Sequence, residues 1–163
     1  MFETIRIRIR KSGLLLFIIP VFLACTNDNP DPTGLFDAEF TGDFTESLEG
    51  NARFSLQASG TNGIVIIQLK ESDDIFIRLS LPNASPNQIF IEPGTYTIVP
   101  QFGNNLPSEV LVDFIDGNLS FSASSGEVNV GISKPDQLSG TIVNAEFQLL
   151  RSMCNGTFDS TPQ

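Results

Sequence analysis

The side chain that enzymes use most often for acid–base chemistry is missing from this 163-residue sequence. It has no histidine. No Ser-His-Asp or Cys-His nucleophile can therefore be assembled, and no imidazole is offered to zinc, copper or non-haem iron. Its two cysteines, Cys25 and Cys154, are too few for a thiolate metal site. No Gly-rich phosphate loop is present. Carboxylate chemistry remains. Glycoside hydrolysis needs only two acids, but nineteen Asp+Glu make that pattern unselective, and the absence of Trp beside a single Tyr96 removes the usual sugar platforms. The expectation is a chain that is not an enzyme. An all-oxygen Ca²⁺ site is the one metal chemistry left. The candidates are Asp73-Asp74 and the set Asp113, Asp116 and Asn118. Neither has EF-hand spacing, and both fall where solvated turn acids are common. No other cofactor is expected.

Cys25 has the most defined context. Residues 1–13 carry Arg6, Arg8, Arg10 and Lys11 against the single acid Glu3, and residues 14–23 are uninterruptedly apolar, LLLFIIPVFL. A basic segment, a short apolar run and a small residue before the cut form a secretory signal. The run is shorter than the ~20 residues of a membrane span, and Pro20 opposes a stable helix. Ala24-Cys25 resembles the lipobox of bacterial lipoproteins, with Phe22 standing where that motif usually has Leu, Val or Ile. The resemblance implies cleavage after Ala24, a diacylated Cys25 as the first mature residue, and attachment to the membrane through that lipid. An ordinary cleaved signal and an uncleaved anchor are the alternatives.

The elements behind these residues divide the chain into a signal (1–24), a proline-broken acidic tether (25–34, with Pro30 and Pro32) and one domain (35–159). Residues 25–163 hold five Lys+Arg and eighteen Asp+Glu. That field disfavours nucleic acid and anionic surfaces. If Cys25 carries lipid, Cys154 is left alone, and burial is its expected state.

Within the domain, period-2 alternation dominates and helical periodicity is absent. Strands are expected at 35–41, 52–58, 64–69, 75–81, 88–92, 95–99, 110–116, 119–124, 128–132 and 138–150, with 42–51 a loop. Residues 100–108 form the longest irregular connection after the tether. Asp116-Gly117-Asn118 marks a tight hairpin. Gly140 is the expected kink or bulge of the last long strand, and Thr157-Phe158 a short edge strand. The spacing predicts an all-β fold, an antiparallel two-sheet β-sandwich of about nine strands, with a closed β-barrel as the alternative.

Pro93-Gly94-Thr95-Tyr96 and the run from Ser125-Gly126 to Leu138-Ser139-Gly140-Thr141 are turn-and-strand steps. With the lipobox, they resemble small Bacteroidota-type lipoproteins that carry a C-terminal β-sandwich domain. The resemblance implies the bacterial cell envelope, at the outer membrane, and no catalytic residue. Asp159-Ser160-Thr161 resembles the O-glycosylation signal of exported proteins of those bacteria, with Ser160 as acceptor. The expected function is an envelope-anchored, non-enzymatic binding or accessory module with an envelope protein partner. A β-barrel carrier of an apolar ligand and a calcium-dependent adhesion-type domain are the alternatives.

Overall fold

The computed structural model describes residues 34–59, 62–89, 91–102 and 107–163. The signal, the lipobox residues Ala24 and Cys25, and nearly all of the tether lie outside them. Ten strands follow in order: β1 (Gly34–Gly42), β2 (Glu46–Ser59), β3 (Asn62–Lys70), β4 (Ile75–Asn83), β5 (Gly94–Ile98), β6 (Glu109–Asp116), β7 (Leu119–Ser122), β8 (Ser125–Lys134), β9 (Gln137–Phe147) and β10 (Ser152–Pro162). Among the described residues there is no helix.

The fold is a closed barrel. Nine strands pair around it in the order β1-β2-β3-β4-β6-β5-β8-β9-β10, and β10 returns to β1. The expected two-sheet sandwich is thereby corrected to its alternative. Two long-range pairings make the difference. β4 pairs with β6, from Ile75↔Asp116 to Ser80↔Leu111, and β10 pairs with β1 along eight residues, from Leu35↔Asp159 to Gly42↔Ser152. β7 is a hairpin arm on β6, outside the ring.

A closed ring of nine strands cannot alternate direction at every step. One neighbouring pair must be parallel, and it is β5–β6 (Thr97↔Glu109, Ile98↔Val110). Parallel neighbours need a return crossover, which accounts for the long connection over residues 99–108. A second crossover, 84–93, carries the chain from β4 past β6 to β5. Asn83 organises its start, donating its side-chain amide to the carbonyls of Ser85 and Gln88. Of the strand expected at 88–92, residue 90 lies outside the described residues; the others join no ladder, and Ile91 is buried.

Inward side chains fill the barrel. Phe40, Phe54 and Phe147 are its largest fully buried residues, joined by Leu48, Ile67, Leu69, Ile77, Leu79 and Leu81. The phenylalanines pack on one another: Phe40 lies 4.9 Å from Phe114, 5.4 Å from Phe147 and 5.3 Å from Phe44, ring centre to ring centre. Such contacts are in the favourable range for aromatic pairs.

Three other corrections share a cause, which is backbone geometry hidden inside the alternation. Residues 46–51 are strand rather than loop, because Leu48 continues the inward row of Ala52 and Phe54. Gly50 read as a loop signal, yet it marks a close crossing: a Cβ there would sit 2.2 Å from the Lys70 carbonyl oxygen. The β9 bulge falls at Asn144 (φ 50°) rather than Gly140, as the registers on both sides show. It moves Val143 off the inner row, which runs Leu138, Ile142, Ala145, Phe147. Gly140 lets β8 approach, since its Cβ would meet the Asn129 carbonyl at 2.2 Å. The β8 register also slips between Val130 and Ile132, which turns Ile132 outward. At the hairpin, Leu119 is exposed because β7 extends past the closed ring.

Candidate functional site

Strand directions place Gly34, where the described chain begins, on the same rim as the end of β10. Its amide donates to the Thr161 hydroxyl at 3.3 Å. The opposite rim carries the turns at 43–45, 71–74, 117–118 and 148–151.

The calcium candidates are not gathered into a site. Asp113 and Asp116 are three apart on β6 and so face opposite sides. Asp113 is buried on the barrel's outer wall, where Arg78 Nη2 and Nε donate to its Oδ2 at 2.8 and 3.2 Å and Ser122 Oγ donates to its Oδ1 at 2.6 Å. Both carboxylate oxygens are thus engaged. Asp116 and Asn118 are exposed at the hairpin tip. Asp73 pairs with Lys70 at 3.4 Å, and the Asp74 carbonyl accepts from the Gly117 amide at 2.8 Å. Among the described residues no three Cys, Asp or Glu side chains lie close enough to hold a metal ion.

Cys154 is fully buried in β10, opposite Phe40 and Ala145. Burial pushes its thiol up from the ordinary 9.0 to about 12. Ser160 is also fully buried, and its hydroxyl donates to the Leu138 carbonyl at 2.7 Å. In the folded chain the hydroxyl named as a glycosylation acceptor is closed to solvent. Tyr96 hydrogen-bonds the Glu92 carbonyl at 2.6 Å. Burial, and secondly the Glu92 charge, raise its pKa.

The feature that sequence reasoning missed lies on the outer wall of β2 and β3. A groove of about 370 Å³ is lined there by Asn51, Arg53, Gln68, Lys70, Asp73 and Gln163, among others. The registers align two rows across it: Asn51 opposite Lys70, and Arg53 opposite Gln68. The second row continues through Arg78, Asp113 and Ser122. β10 closes one side, with Thr161 and Pro162 running parallel beside Arg53 and Phe54. Gln163 Nε2 donates to Gln68 Oε1 at 3.1 Å.

Comparison with protein-family models, with curated proteins and with solved structures returns no match. The site is therefore judged on its chemistry alone. Of the described cations, Lys70, Arg78 and Arg151 are ion-paired, and Lys134 is exposed at a turn. Arg53 is half-buried in the groove with no ion-pair partner among the described residues. A guanidinium flanked by amides recognises anions and hydrogen-bond acceptors. The scarcity of cations was the available signal. It became a site only once the register set Arg53 beside Gln68.

Proposed function

We propose that this chain is a lipid-anchored protein of the bacterial cell envelope, at the outer membrane, whose barrel is a non-enzymatic binding module. The groove on β2–β3 is its binding surface. The observation that carries this reading is the unneutralised Arg53 in a wall groove of a chain otherwise rich in acids. Ring closure supports a wall site over an edge site, because both edges of the nine ring strands are paired and only the four-residue arm β7 keeps an open edge for β-augmentation. The Ala24-Cys25 step supports the anchor, and several acyl chains together hold a protein firmly to a bilayer.

The carrier of an apolar ligand has the barrel it requires but takes second place. The inward phenylalanines are buried and contact one another, as in a packed core. The test of the anchor is fractionation of the native host expressing the Cys25→Ser chain. The variant should fold as before and leave the membrane fraction, and retention in that fraction would defeat the anchor. A native-envelope pull-down that recovers the same partner with wild type and with Arg53→Gln would defeat the wall site.

A further inference from the structure

We propose that the groove binds the free carboxylate end of a short peptide. This deepens the binding-module reading by naming the ligand class for that same surface.

Three features converge on this chemistry. The first is Arg53 itself. Its planar fork matches a carboxylate through two parallel hydrogen bonds, and no acid of the described chain already occupies it. The second is the orientation of its neighbour. Gln68 Oε1 accepts from Gln163 Nε2, which commits the oxygen and leaves the Gln68 amide hydrogens as donors. Guanidinium and amide together offer donors to a single anionic group. The third is the far end of the groove, where Glu71 and Asp73 also line the wall. These acceptors suit N–H groups, and they repel a ligand charged negatively throughout. A peptide terminus has the required polarity, with a carboxylate at one end and backbone N–H groups behind it. Inorganic phosphate presents charge in every direction and nothing to satisfy Glu71 and Asp73.

Lys70 has a secondary role. Its pairing with Asp73 at 3.4 Å involves an aspartate side chain that is 99% exposed, so water screens that contact. The ammonium is free to turn toward a second ligand oxygen. The volume of about 370 Å³ sits at the small end of ligand sites, roughly 300–1,000 Å³, which suits a peptide end and not a long segment.

The test titrates the purified full chain, ¹⁵N-labelled, with N-acetyl-alanyl-alanine and separately with its C-terminal amide. The acid should shift resonances of residues 51–53, 68–70 and 163, saturating near a millimolar Kd, as one charge-assisted contact at a half-exposed site predicts (~1 mM). The amide should bind at least about tenfold more weakly, and Arg53→Gln should lose about tenfold for the acid with an unchanged melting temperature. Arg53→Lys, which keeps the charge and loses the fork, should fall between them. Equal binding of acid and amide overturns the proposal, and so does unaltered binding by Arg53→Gln. Inorganic phosphate binding as tightly as the acid also overturns it, by making the groove a general anion site. The titration does not depend on the anchor: release of Cys25→Ser with a failed titration removes the ligand class, and the converse removes the anchor.

Discussion

Replacing Arg78 should destabilise the barrel more than replacing Asp113, although either change breaks the same ion pair. The difference lies in what is left behind. The Arg78 side chain is 40% exposed and the Asp113 side chain 12%. In Asp113→Asn the stranded guanidinium turns into water, and the loss is about 1 kcal/mol, between a surface pair and a buried one. In Arg78→Met the stranded group is a carboxylate enclosed by the wall, with only the Ser122 hydroxyl at 2.6 Å to satisfy it. Breaking a fully buried pair from one side costs about 3–5 kcal/mol; the wall position reduces this to roughly 2–3 kcal/mol. The Arg78→Met/Asp113→Leu double variant should be more stable than Arg78→Met, because no charge is left enclosed. Urea unfolding followed by far-UV circular dichroism measures all three. For a domain of this size each kcal/mol moves the melting temperature about 3–5 °C. Equal losses from the two single changes, or a larger loss from Asp113→Asn, would refute the argument. Millimolar Ca²⁺ should leave the wild-type melting temperature unchanged, since Asp113 already has donors on both oxygens; an upward shift would mean the carboxylate prefers the ion.

Cys154 has a folded pKa raised to about 12 from 9.0, so its neutral form favours folding below pH 9 and that stability fades as pH rises toward 12. Between pH 8 and pH 10 the wild type should lose about 1.4 kcal/mol that Cys154→Ala does not lose; parallel pH slopes in the two proteins would count against an enclosed thiol. Asn144 holds φ 50° at the β9 bulge. Asn144→Gly should be nearly neutral and Asn144→Val should cost about 1–2 kcal/mol, and identical stabilities would show that the bulge relaxes. Ending the chain after Arg151 removes β10 and its ladders with β1, β9 and β2; a sharp thermal transition in that fragment would contradict a ring that depends on closure.

Strand content was legible because burial imposes period 2. Phe36, Ala38 and Phe40, then Val110, Val112 and Phe114, fall on the inner face as alternation predicts; in 64–69, apolar on both faces, the inner row is Val65, Ile67 and Leu69. The Asp116-Gly117-Asn118 hairpin was legible too, with Gly117 at φ 57°. β10 was reduced to a short edge because its inward positions are Ser152, Cys154, Gly156, Phe158 and Ser160. A wall that meets an interior already crowded with phenylalanine takes small side chains, and small side chains carry little hydrophobic signal. Without β10 no local pattern connects the first strand to the last. Sandwich and barrel then differ in long-range pairings, such as Ile75 with Asp116 and Phe40 with Cys154, that no local pattern announces.

The site followed the same logic in reverse. Residues chosen by type are engaged within the structure, Asp113 by Arg78 and Ser122 and Ser160 by the Leu138 carbonyl, while Cys154 is buried as its residue type led one to expect. Arg53 had no distinguishing neighbour in the sequence, where it sits between Ala52 and Phe54. Those neighbours decide its position. Both point inward and are buried, which forces Arg53 outward onto the wall. The β2–β3 register then sets it opposite Gln68, and the end of β10 runs alongside. Closing the ring thus does two things at once. It pairs both edges of the nine ring strands, and it brings the C-terminal strand beside the Arg53 guanidinium to form a wall groove. The groove around Arg53 thus depends on the chain's last residues reaching β2, a pairing that no local alternation carries.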